Sequence, residues 1–280
     1  MITVFGSVGF GYISHGGSLH ILYQPAELLI ILGVAAGSII ISYPWYKIKK
    51  ALFSIKYFFN VNPYSKKDYM EIISLCVKMF KIAKQKGNLE LEKHVESYES
   101  SNILGQSKLI KNDSKVRNFI LDNFRLITMG IESSYQFEDI IDQEIVLIKD
   151  DNDSPASIFS GLGDSLPALG IVAAVAGVII TMKNISEPAE TIGALIGASL
   201  VGTFMGVLFA YGLFAPMGSF MYRYSNNKTK FLLCIKSGFI SYLNGNNNSI
   251  IAEYMRKNTP EEFRPSFDDL ENKIRSDKVS

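Results

Sequence analysis

Apolar and polar positions along the chain fall into long blocks rather than mixing evenly. Four windows contain no Asp, Glu, Lys or Arg: residues 1–26, 28–46, 165–182 and 191–222. A helix that crosses a bilayer needs about 20 mainly apolar residues, and Leu28–Tyr43, Ser165–Met182 and Ile192–Ala215 are read as such helices. The last window continues to Tyr222, so its helix should project beyond the hydrocarbon. The first apolar run, MITVFGSVGFGYIS, would be roughly 21 Å long as a helix, short of a ~30 Å core. It lacks the basic start and small-residue cleavage site of a secretory leader, and it reads as a transmembrane helix that is missing its beginning.

The polar blocks carry helical spacing instead. Tyr69, Ile72, Ile73, Leu75, Cys76, Met79, Phe80 and Ile82 recur at three- and four-residue intervals between Lys66 and His94. Lys86-Gly87-Asn88 should break that helix, with a second one from Leu89 to Tyr98. Further helices are expected over Lys115–Ile131 and Ser134–Ile148. Asp150–Pro155 reads as a turn or cap before the third membrane helix, and Asn244–Ser249 as a polar turn. Pro260, Pro265 and the charged end suggest a tail of short helix and loose segments. No stretch alternates with period two. The fold class is therefore all-α: a polytopic membrane protein with four transmembrane helices and a helical cytoplasmic domain. The expected boundaries are 1–43 for the first two membrane helices, 44–157 for the cytoplasmic domain, 158–222 for the last two membrane helices and 223–280 for a cytoplasmic tail.

Charge refines this picture. The chain holds 28 Lys+Arg against 27 Asp+Glu, a net +1, without the basic excess of a nucleic-acid binder. Lys47, Lys49, Lys50 and Lys56 follow the second membrane helix, and Arg223, Lys228 and Lys230 follow the fourth. Basic residues mark the cytoplasmic side, so both termini and both large polar regions should lie inside. Cys76 and Cys234 cannot build a disulfide framework, His15, His20 and His94 form no metal-ligand cluster, and there is no HExxH, Walker loop or GxSxG. The expectation is a protein that is not an enzyme and needs no cofactor.

Small residues crowd the last two membrane helices. Gly193 and Gly197 form one GxxxG, Gly202 and Gly206 another, and Gly170, Ala173 and Gly177 a third small face. Such spacing allows close backbone packing, either within the chain or against another subunit. Pro167 and Pro216 stand where a helix start, a kink or a hinge would fit. No Asp, Glu, Lys, Arg or His lies deep in the last three membrane helices; only Glu27 and Asp164 stand at their edges. Thr181, Thr191, Ser199, Thr203 and Tyr211 offer hydroxyls, which do not store a proton near neutral pH. If ions pass, a partner must supply the carboxylate.

Three segments are more specific: Tyr23-Gln24-Pro25-Ala26-Glu27, the run Gly163–Val175, and Val201–Gly212, continuing into Pro216 and Arg264-Pro265-Ser266-Phe267. In this order they resemble the MotA family of flagellar stator proteins over nearly the whole chain. The resemblance implies a ring of five subunits around two MotB helices, with MotB bringing the membrane aspartate. It implies a proton channel that drives torque on FliG, with Na⁺ as the alternative ion. Thr203 matches the family threonine near the ion site, Tyr211 follows two turns on along nearly the same face, and Pro167 and Pro216 match prolines that couple ion binding to movement. Gly170, Ala173, Gly177, Gly202 and Gly206 would form the wall facing MotB. Lys84, Glu92 and Glu144 match the charged positions that meet FliG; Lys84 stands where many relatives have Arg, which loses bidentate geometry.

The main rival is an energiser of the ExbB/TolQ type acting on envelope partners, which predicts three membrane helices. The YQPAE segment feeding a second membrane helix before the large polar insertion argues against it. A passive membrane scaffold is the third reading.

Overall fold

A computed structural model describes residues 2–59 and 62–276. In chain order the α-helices are α1 (Ile2–Ser14), α2 (Leu19–Leu22), α3 (Pro25–Ser42), α4 (Trp45–Ser54), α5 (Lys66–Lys86), α6 (Asn88–Glu96), α7 (Lys108–Asn112), α8 (Ser114–Thr128), α9 (Ser134–Lys183), α10 (Ala189–Phe209), α11 (Ala215–Leu243), α12 (Asn248–Lys257) and α13 (Phe267–Ser276). No strand occurs among the described residues. The chain divides into two compact units: Met1–Asn60 with Asn152–Arg223, and Val61–Asp151 with Tyr224–Ser280.

The first unit is built for lipid. Its small core gathers Ile31, Ala35, Ala51, Phe159, Leu166, Ala173, Ala210 and Met221, while Leu29, Ile41, Ile179 and Leu200 lie bare on its outside. Large apolar side chains exposed all around a bundle fit a hydrocarbon solvent, because the helices already satisfy their own backbone groups. Among the described residues, three stretches are long and apolar enough to cross a membrane: Leu19–Ser42, Ser134–Lys183 and Ala189–Leu243. The fourth expected helix, α1, has 13 residues, about 20 Å of rise; it packs through Phe5 on Phe209, with ring centroids 6.2 Å apart. The amphipathic α4 carries exposed Trp45 and Tyr46 beside Lys47 and Lys49, the composition of a membrane–water boundary.

Two local expectations fail here. Asp150–Pro155 is not a turn but part of α9, which contains both Pro155 and Pro167. Ser154 and Ala156 are buried there, with Ile158 and Phe159 following, and burial outweighs the turn preference of the Asp/Asn/Ser sequence. Pro167 is likewise inside a helix rather than at its start. Pro216 is the second residue of α11, directly after a π-helical turn over Ala210–Phe214 in which the Ala215 N–H donates to Ala210 O. A proline ring clashes with the carbonyl four residues back and removes a donor. The wider π turn accommodates both without ending the rod.

The second unit is an aqueous fold with an aromatic centre. Phe80, Phe124, Phe137, Phe231 and Phe239 are fully buried. Phe239 lies 4.7 Å from Phe124, 5.2 Å from Phe80 and 5.4 Å from Phe137 between ring centroids. The break at Gly87 is where the sequence placed it: its φ of 82° suits a residue without Cβ. Gly245, with φ of 78°, serves the Asn244–Ser249 turn in the same way. The stretch from 223 onward is not a tail. Phe231, Cys234, Ile235 and Phe239 of α11, Ile251 and Met255 of α12 and Leu270 of α13 all enter the same core, and Lys66 Nζ meets Asp269 Oδ2 at 2.9 Å.

Asp113 caps α8, its Oδ1 accepting from the Lys115 and Val116 amides at 3.1 and 3.2 Å, while its Oδ2 accepts from the buried Tyr64 hydroxyl at 2.8 Å. Losing a cap costs about 1 kcal/mol, and an orphaned buried hydroxyl adds about 1–3 kcal/mol. Asp113→Ala is therefore expected to destabilise this unit by roughly 2–4 kcal/mol, and Asp113→Asn by much less, because the amide can still cap. Thermal melting of the full chain in detergent measures both; equal melting temperatures for the two variants would contradict the argument.

Candidate functional site

The expected ion path lies where α3, α9 and α10 meet. Glycines close this seam. A Cβ placed on Gly206 would come 2.7 Å from Leu166 O and 2.8 Å from Gly170 Cα. One on Gly170 would come 2.9 Å from Gly202 O and 3.2 Å from Thr203 Cα, and one on Gly202 would come 3.2 Å from Ala173 Cβ. The backbones of α9 and α10 thus touch, as small-residue faces permit. Gly170, Ala173, Gly202 and Gly206, expected to form a wall for a partner helix, are buried inside the subunit. Gly177, partly buried, faces Ser199 and Glu27 of the same chain. The other GxxxG differs: nothing lies within 4 Å of a Cβ built on Gly193 or Gly197.

The hydroxyls divide. Thr181 Oγ1 donates to Gly177 O at 3.0 Å, and Ser199 Oγ to Leu195 O at 2.9 Å, both back onto their own helices. Thr203 is half-buried, its Oγ1 3.5 Å from Gly170 O across the seam, at the far limit of a hydrogen bond. Tyr211 does not share that face: it is 68% exposed, within the π turn. Eight residues overshoot two α-helical turns by about 80°, so Tyr211 points elsewhere than Thr203. Pro167 is partly buried on α9 and Pro216 is exposed on α11.

The sequence missed one residue here. Glu27 was read as an edge residue of its helix, and it does stand in the first turn of α3. Its side chain nevertheless turns into the seam between α9 and α10. Glu27 is only 9% exposed, and its Oε2 is buried with no hydrogen-bond partner. A Cβ on Gly202 would come 2.7 Å from Oε2, and one on Gly177 would come 3.0 Å from Oε1, crowding Ser199 Oγ as well. The seam between α9 and α10 therefore does have a carboxyl beside it. The only signal in the sequence was an acid in the first turn of an apolar helix.

The expected rotor-facing residues lie in the second unit. Lys84 is exposed near the end of α5; its Nζ donates to Asn246 O and sits 5.5 Å from the centre of the Tyr242 ring. Glu92 is exposed on α6. Glu144 is different: it is half-buried on α9, and its Oε2 accepts from Asn123 Nδ2 at 3.0 Å. Burial pushes its carboxyl above the ordinary value, partly offset by the Asn123 hydrogen bond. Of the three, Lys84 and Glu92 are exposed, while Glu144 is hydrogen-bonded within the fold. Lys236 shows pairing that spacing could not reveal: Glu138 at 2.7 Å and Asp142 at 2.8 Å clasp it. Burial alone would lower its ammonium, but the two hydrogen-bonded carboxylates hold it above the ordinary lysine value. Among the described residues no group of three or more His, Cys, Asp or Glu could hold a metal ion.

Comparison with known proteins agrees with this architecture. A family model described as motility protein A N-terminal matches residues 1–87, and one described as the MotA/TolQ/ExbB proton channel family matches residues 111–232. Motility protein A of Escherichia coli (strain K12) is 38% identical over 277 residues, 99% of this chain and 94% of that protein. The C. jejuni MotAB structure superimposes with a TM-score of 0.75 at 20% identity, covering 94% of each chain. The flagellar MotAB stator complex from Bacillus subtilis gives 0.73 at 24% identity, covering 97% of this chain and 96% of that one.

Proposed function

The chain belongs to the motility protein A family, and from that premise we propose that it works as a stator subunit of the flagellar motor. In this role it is part of a membrane proton channel that converts ion-motive force into torque. The observation that carries the reading is a membrane unit with an apolar exterior and a glycine-closed α9–α10 seam holding Thr203 against Gly170, on a chain alike from end to end to motility protein A.

In this reading the channel is shared. A MotB-like partner, as in the MotAB complexes of relatives, brings a membrane aspartate, and five copies of this chain surround two partner helices. The faces left for the partner are those the intramolecular seam does not use. Protonation of the partner's aspartate removes a charge next to Thr203. Moving one charge across 100 mV supplies about 2.3 kcal/mol, and α9 at Pro167 and α11 at Pro216 transmit the shift. Lys84 and Glu92 are displayed for the rotor protein FliG. The lysines of α4 lie on the inner side of a bacterial inner membrane, with both termini cytoplasmic. The transported ion is H⁺.

The test is co-expression with a MotB-like partner in a host lacking its own stator. The wild type should restore swimming, and an unplugged partner should make the complex leak protons. Thr203→Val should lower both leak and torque. Lys84→Glu should lower torque at high load but leave the leak unchanged. A wild-type complex that neither leaks nor drives rotation would overturn the reading in favour of a passive scaffold.

A further inference from the structure

Glu27 has no use in the function as stated so far, and its surroundings are costly without one. A carboxyl that is nine-tenths buried with an unpartnered Oε2 forfeits hydration without compensation. Acids within membrane segments normally mark an ion pathway. Here Oε2 is directed at the open backbone of Gly202, the residue before Thr203, and Oε1 at Gly177 beside Ser199 Oγ. A Cβ at either glycine would crowd the carboxyl, so these two positions leave it room on both sides of the seam. Ser199 has spent its hydrogen on Leu195 O, leaving its oxygen lone pairs free to accept from a protonated acid.

The chemistry of the site selects its ligand. A bare metal cation needs several oxygen ligands, whereas Oε2 lies beside Gly202 with no hydrogen-bonding partner. A proton needs only the carboxyl itself.

We propose that Glu27 is a proton-loading carboxyl carried by this subunit, one step from Thr203 on the side of the span away from the lysine-bearing α4. Hydronium gives a proton to the carboxylate, forming the neutral acid and water. The acid then returns that proton to a water leading towards the partner's aspartate and becomes the carboxylate again. This rests on the stator reading for the route, but the presence of a titrating acid at residue 27 can be tested without it.

Two measurements decide. In the first, Glu27→Gln and Glu27→Asp are compared with wild type in the complex with an unplugged MotB-like partner, at equal amounts of assembled complex. Proton leak should fall about 100-fold in Glu27→Gln, the low end of what a positioned proton-transfer group contributes, and recover in part in Glu27→Asp. Wild-type leak in Glu27→Gln would overturn the proposal. In the second, infrared difference spectra of the full chain alone in lipid nanodiscs are taken across pH. A neutral-carboxyl band should grow as pH falls, vanish in Glu27→Gln and shift in Glu27→Asp. If Glu27→Gln removes no such band at any pH, the proposal fails whether or not the complex assembles. A titrating band together with a silent wild-type complex would sink the stator reading and the route through Glu27.

Discussion

Gly206→Leu is expected to prevent the membrane unit from packing. The atoms that a side chain would meet first are Leu166 O at 2.7 Å and Gly170 Cα at 2.8 Å, and both are backbone, which cannot rotate aside. Overpacking a close contact costs about 1–3 kcal/mol even where side chains can yield. Here α9 and α10 would have to separate along the seam that also holds Thr203 and Glu27. The chain should be lost from membranes or elute as aggregate in detergent, and motility should disappear with it. Gly193→Ala is the matched control, since nothing lies within 4 Å of the added Cβ. It should accumulate and melt like the wild type. A well-behaved Gly206→Leu protein with a wild-type melting temperature would show that the seam is not closed as described.

Phe239→Ala should be the most damaging single truncation in the second unit. Its ring is fully buried among Phe80, Phe124 and Phe137, with centroids 4.7 to 5.4 Å away, so it joins α5, α8, α9 and α11 at one point. Removing a buried phenylalanine costs about 3–5 kcal/mol, and the aromatic pairs add about 0.5–1.5 kcal/mol each beyond the area they bury. Hydrogen exchange on the full chain should show protection lost together in α5, α8 and the second half of α11. Phe239→Leu should restore most of it. Loss confined to α11 would mean that the four helices do not form one cooperative core.

Particular residues show how far the sequence could be read. The Gly87 break, the α8 helix near 115 and the polar turn after Leu243 were legible because each depends on neighbours a few positions away. Asp150–Pro155 was misread for the opposite reason: its turn preference is local, while Ser154 and Ala156 are buried, Ala156 in one core with Ala51 and Met217 of other helices. Glu144 matched a charged family position, but Asn123, 21 residues earlier, turns it into the fold. Lys236 is 94 positions from Asp142, a separation at which spacing carries no information.

The sequence by itself determined the two solvents of this protein. Charge cannot enter hydrocarbon cheaply, so 95 residues without Asp, Glu, Lys or Arg are enough to mark the membrane helices, and three- and four-residue spacing marks the rest as α. It also pointed to small residues packing closely, without saying against what. Tertiary structure alone decided that Gly170, Gly202 and Gly206 join α9 to α10 within one chain, that the residues after 223 complete a core rather than trail from it, and that Glu27, at the edge of its helix, is buried. Each of these depends on which distant segments meet. A contact across a seam depends on the shapes of both surfaces, and one chain position read alone contains only one of them.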